Sequence, residues 1–107
     1  MEWVKLFESV EEAHSSLTLN KPRKFTVDNS DYCVFRTQKG IFVTSDRCSH
    51  EGASMSLGKC TPNGLIECPW HQFLFEPTTG KCTNEICNDL PTFEVKVDKG
   101  GIRVKIG

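Results

Sequence analysis

The 107-residue sequence has no long apolar run. Nothing in it approaches the roughly 18 residues of a membrane-spanning helix, so no span of that kind is expected. It also lacks a charge imbalance: 13 Lys and Arg stand against 14 Asp and Glu, a formal net charge of −1. A basic nucleic-acid footprint is thereby excluded as the default reading. Residues 1–12 show no basic run, apolar stretch or small-residue cleavage site, so no secretory leader is expected. Internal repeats, low-complexity tracts and a domain linker are absent as well, and the length fits one domain over 1–107. Histidine is scarce, at three residues, whereas cysteine is plentiful, at six. In a secreted chain of this size six cysteines would suggest a disulfide framework. Without a leader they are expected to be thiols or metal ligands in a reducing compartment, the cytoplasm.

The pattern along the chain predicts mostly β-structure. Trp3 to Phe7 reads as a first strand, with Trp3, Lys5 and Phe7 on one face and Val4 and Leu6 on the other. Ser9 followed by Glu12 fits a capping box, and Val10, Ala13 and Leu17 give helical spacing behind it, so one short helix is expected. Lys24 to Val27, Tyr32 to Arg36 and Ile41 to Thr44 read as strands separated by the turn residues Asp28-Asn29-Ser30-Asp31 and Gln38-Lys39-Gly40. Asn63-Gly64 signals a hairpin between 58–60 and 65–67, and Thr79-Gly80 another between 73–75 and 81–82. Residues 85–91 read as a loop, Thr92 to Val97 as one alternating strand, and Ile102 to Ile106 as its return. An all-β sandwich or barrel follows.

Two short motifs carry chemistry: Cys48-Ser49-His50 and Cys68-Pro69-Trp70-His71. Each offers one thiolate and one imidazole, and the Asn63-Gly64 hairpin between them can bring the two segments side by side. A 2Fe–2S cluster needs four protein ligands, and this set lets one iron take both thiolates and the other both imidazoles. With two ferric ions, two sulfides and two thiolates the oxidised centre is neutral, whereas four thiolates leave it doubly negative. Adding an electron to the neutral centre is easier, so its potential is higher. Tetrahedral zinc also accepts two Cys and two His, although the familiar zinc spacings pair Cys with Cys and His with His.

The C-x-H and C-x-x-H motifs resemble those of the Rieske family, as do Arg47, Glu51-Gly52-Ala53, Leu57-Gly58, Glu67, Phe75, Thr79-Gly80 and Leu90-Pro91. The resemblance covers essentially the whole chain. It implies an antiparallel β-sandwich with a small cluster-binding subdomain of two hairpin loops, about 46–82, and one short helix. It also implies one 2Fe–2S cluster held by Cys48, His50, Cys68 and His71. High-potential members carry a disulfide between two further cysteines and place hydroxyls near the cluster sulfurs. The matching positions here are Ala53 and Trp70, and Phe73 and Phe75. Without that disulfide and those hydroxyls, the low end of the Rieske range is expected, of order −150 mV. A departure from the family's pattern is Gln72, where Gly is common.

The resemblance thus implies a soluble monomeric ferredoxin, not itself an enzyme. It would take single electrons from a flavin-dependent reductase and pass them to a terminal oxygenase, with no nucleic-acid or membrane partner. The alternative is a nitrite-reductase-like small subunit or a cluster-based redox module. With two histidines used as ligands, only His14 is left, too few for the two-His, one-carboxylate iron of an oxygenase. Cys33 reads as a small buried hydrophobe. For Cys60, Cys82 and Cys87, free thiols are weighed against a Cys60–Cys82 disulfide and a second metal site. Met55, Pro69 and Trp70 are expected to form an apolar rim around the histidines, with Trp70 as a lid.

Overall fold

Tight turns join several of the strands. The computed structural model describes residues 2–38, 40–47, 54–61, 64–69, 74–77, 79–83 and 90–106. Asp28 and Asn29 both take positive φ, 49° and 68°, and join β2 (Arg23–Val27) to β3 (Ser30–Thr37) as a primed hairpin turn. Asn and Asp tolerate this left-handed backbone better than other non-glycine residues. Next, β3 pairs with β4 (Gly40–Ser45), and β4 with β8 (Thr92–Phe93), completing one antiparallel sheet. A second sheet joins β1 (Glu2–Phe7), β10 (Gly101–Ile106) and β9 (Val95–Asp98) in that order. A third is made of short strands: β5 (Lys59–Cys60), β6 (Ile66–Glu67) and β7 (Leu74–Phe75). The single α-helix among the described residues, α1 (Val10–Ser16), starts at Ser9, whose Oγ accepts the Glu12 N–H at 3.0 Å, and it buries Ala13.

Two readings of the sequence need correction. Phe7 does not share the exposed face of Trp3 and Lys5: the register with β10 slips between Lys5 and Phe7, and Phe7 is buried. The extra residue, Leu6, makes a bulge that turns Phe7 inward. Nor is 92–97 one strand. It breaks at Glu94, so that β8 serves one sheet and β9 another, and the Glu94 carbonyl accepts the Lys105 N–H at 2.9 Å. Phe93 and Val95 pack against the core as the alternation predicts, whereas Val97, beyond the change of sheet, is exposed.

Two cores result, and β3 separates them. Cys33 and Phe35 face a core with Met55, Cys60, Ile66, Cys68, Phe75 and Leu90. Between them, Val34 faces the other, with Phe7, Ala13, Leu17, Val43 and three β10 residues. Tyr32 points the same way as Val34, stacking on Phe25 at 5.3 Å and meeting Phe93 edge-on. Each fully buried Phe or Ile stabilises the fold by about 1.5–3 kcal/mol. No described helix is long and apolar enough to cross a membrane.

Candidate metal centre

The two motifs emerge from the ends of strands. Beyond β4, Arg47 forms an antiparallel bridge with Ser54, so the ends of the segment carrying Cys48 and His50 lie together. The chain then turns through a short 3-10 turn, Met55–Leu57, into β5. The second motif follows β6: Cys68 is fully buried, whereas Pro69 is exposed. Cys48, His50 and His71 lie outside the described residues, as do Ala53, Trp70, Gln72, Phe73 and Cys87.

What is described brings the two segments side by side. A methyl group placed on Gly58, just past the first motif, would collide with the Glu67 carbonyl and meet Pro69 Cδ at 3.2 Å. Met55 and Cys68 occupy the same buried core. Leu90-Pro91, the third stretch of the resemblance, closes the same end. Its Pro91 carbonyl accepts the Ser45 N–H at 2.9 Å, and the Leu90 N–H donates to the Gly80 carbonyl at 2.7 Å. Gly80, with φ +75°, lies so close to Leu90 that a Cβ would fall on the Leu90 carbonyl oxygen.

Cys33 and Cys60 are poor ligands. Cys33 is free and fully buried, and burial followed by the Asp46 charge holds its thiol far above the ordinary range. Burial pushes the Cys60 thiol up to about 12. The buried-hydrophobe reading of Cys33 therefore stands. Cys60 and Cys82 stand three strands' width apart, across Ile66 and Phe75, which removes the disulfide considered between them. His14 is exposed in the last turn of α1.

The expected rim also changes. Met55 is fully buried and cannot belong to it, whereas Leu57, two residues on, is 77% exposed. Trp70 and its role as a lid lie outside the described residues. Sequence reasoning left Leu57 out of the rim and missed Asp46, a buried carboxyl beside the first motif.

The donor chemistry fits a 2Fe–2S group. Two thiols and two imidazoles suit a centre that is neutral when oxidised. The one described member, Cys68, sits against an apolar floor of Phe35, Ile66 and Phe75 that suits such a centre.

The chain belongs to the Rieske [2Fe-2S] domain family, whose model matches residues 6–94. It is a ferredoxin-type one-electron carrier with one Rieske cluster as cofactor, an electron-transfer component and not a catalytic subunit. It is 36% identical over 77 residues to the 3-phenylpropionate/cinnamic acid dioxygenase ferredoxin subunit of Photorhabdus laumondii, covering 71% of this chain and 73% of that one. It is 30% identical over 97 residues to the anthranilate 1,2-dioxygenase ferredoxin subunit of Burkholderia cepacia, covering 89% and 88%. Its fold matches a ferredoxin solved in complex with the oxygenase of carbazole 1,9a-dioxygenase, with a TM-score of 0.77 and 30% identity over 95% of this chain and 91% of that one.

Proposed function

We propose that Cys48, His50, Cys68 and His71 hold the cluster, with residues about 46–82 as its subdomain. We further propose that the protein carries electrons from a flavin-dependent reductase to a terminal oxygenase, as a monomer in the cytoplasm. The observation that carries the ligand set is the placement of Cys68. It is fully buried at the end of β6, in the core that also holds Met55 from the segment after the first motif. When bound, the cluster supplies a one-electron couple.

The chain's own residues supply its setting. Cys68 would meet the metal from an apolar floor that excludes water, and the next residue, Pro69, is already at the surface. Leu57 gives a transient partner an apolar contact beside this end. The oxygenase is supported as acceptor because the relatives are dioxygenase ferredoxin subunits and the carbazole ferredoxin was solved bound to its oxygenase.

Reduction with dithionite should give a Rieske EPR signal that alanine at any one of the four ligands abolishes. A colourless, zinc-loaded protein, or an intact signal in one of those variants, would overturn the ligand set. Turnover by the oxygenase and its reductase should require this protein; equal turnover without it would overturn the partner assignment.

A further inference from the structure

Asp46 is the one carboxyl group buried among the described residues, at 5% exposure. Removing a carboxylate from water is costly unless it is well bonded. Here Oδ2 accepts the Ser54 hydroxyl at 2.6 Å, and Oδ1 accepts the Ser56 N–H at 2.9 Å. Ser54 Oγ also lies 2.7 Å from Ser56 Oγ. The Asp46 carbonyl accepts the Met55 N–H, and its own N–H donates to the Asp31 carbonyl at 3.3 Å. All but the last of these partners lie in three consecutive residues, Ser54, Met55 and Ser56. They stand across the segment 48–53 from Asp46, which itself precedes Cys48 by two residues.

We infer that Asp46 is a positioning residue: its carboxylate clasps both ends of the segment that presents Cys48 and His50, and so sets how firmly that segment holds iron. This rests on the assignment of Cys48 and His50 as ligands. The physical reason is preorganisation. A closed neck has already lost the freedom that an open segment would lose on binding metal. Outer groups that orient ligands commonly alter metal affinity by about 10- to 100-fold. Sequence spacing cannot show this, because the clasp depends on a carboxylate turned inward at the end of a strand.

The geometry separates the clasp from charge and from general stability. Asn can keep the bonds: its Oδ1 accepts the Ser56 N–H, and its Nδ2 donates to Ser54 Oγ, whose proton turns to Ser56 Oγ. Ala cannot. A recess of about 520 Å³, lined by Lys24, Asp31, Ser45, Asp46, Arg47 and Ser54 among others, lets water reach the freed groups, so the Ala variant is expected to fold.

The test follows loss of the visible cluster spectrum from anaerobic holoprotein after an iron chelator is added, alongside urea unfolding. D46A should release iron about 10- to 100-fold faster than wild type. D46N should release it close to the wild-type rate. V34A, in the other core, should lower stability without matching D46A in iron loss. The inference is overturned if D46A keeps the wild-type rate, if D46N loses iron as fast as D46A, or if V34A matches D46A. A C48A variant tells this apart from failure of the ligand assignment. If C48A keeps the Rieske signal, that assignment fails; if C48A loses it while D46A behaves as wild type, only the clasp fails.

Discussion

Cys60 and Cys82 lie in one cross-strand row, with Ile66 and Phe75 between them. Three ladder steps of about 4.8 Å place them roughly 14 Å apart. A disulfide needs Cα atoms within about 7 Å. Their peptides should both carry label when the protein is unfolded in an alkylating reagent, and mass spectrometry should find no linked pair.

The same burial gives a pH dependence. The Cys60 thiol, ordinarily at 9.0, is raised to about 12 in the folded protein. Between these values the unfolded chain holds fewer protons than the folded one, so stability falls as pH rises. The contribution is intact below pH 9 and lost as pH rises toward 12. Urea midpoints measured from pH 7 to 11 should decline above pH 9, and less so in C60A.

Gly80→Ala should destabilise the domain by at least about 1 kcal/mol in urea unfolding, because the backbone has positive φ and Leu90 fills the space. Gly40→Ala is the comparison. Gly40 has φ +136° but nothing within 4 Å of an added Cβ, so it carries only the backbone cost. The Gly80 variant should lose more.

Leu57→Asp should leave stability within about 0.5 kcal/mol of wild type, since the side chain is 77% exposed. Electron transfer with the partner oxygenase should slow by about tenfold, the effect of losing ~1.4 kcal/mol at a contact. Unchanged stopped-flow rates would remove Leu57 from the docking surface.

The reduction potential should lie at the low end of the Rieske range, of order −150 mV by protein-film voltammetry. Phe75, which is fully buried, has no hydroxyl to stabilise added charge on sulfur. A value above about +100 mV would contradict this.

Turn chemistry made much of this fold legible. Asp28-Asn29, Gly64 and Gly80 all adopt the positive φ that their residue types favour, and each joins strands where expected. The metal class was legible too, because mixed Cys and His pairs are rare outside it. Tertiary effects were not. The Leu6 bulge and the break at Glu94 follow from how strands meet neighbouring sheets, which periodicity does not encode. A three-residue turn has no period at all, so Met55 and Leu57 could not be sorted into inside and outside. An aspartate reads as solvated until its partners are known, so Asp46 was silent.

Strand β3 has a different core on each side, and this makes its register a single point of decision for the whole domain. A slip of one residue would turn Cys33 and Phe35 away from the metal-side core and put Val34 in their place. Neither core could then form correctly. The sheet of two-residue strands, too small to persist alone, is thereby bound into the cooperative unfolding of the larger sheets. The part that handles electrons borrows its rigidity from the part that does not.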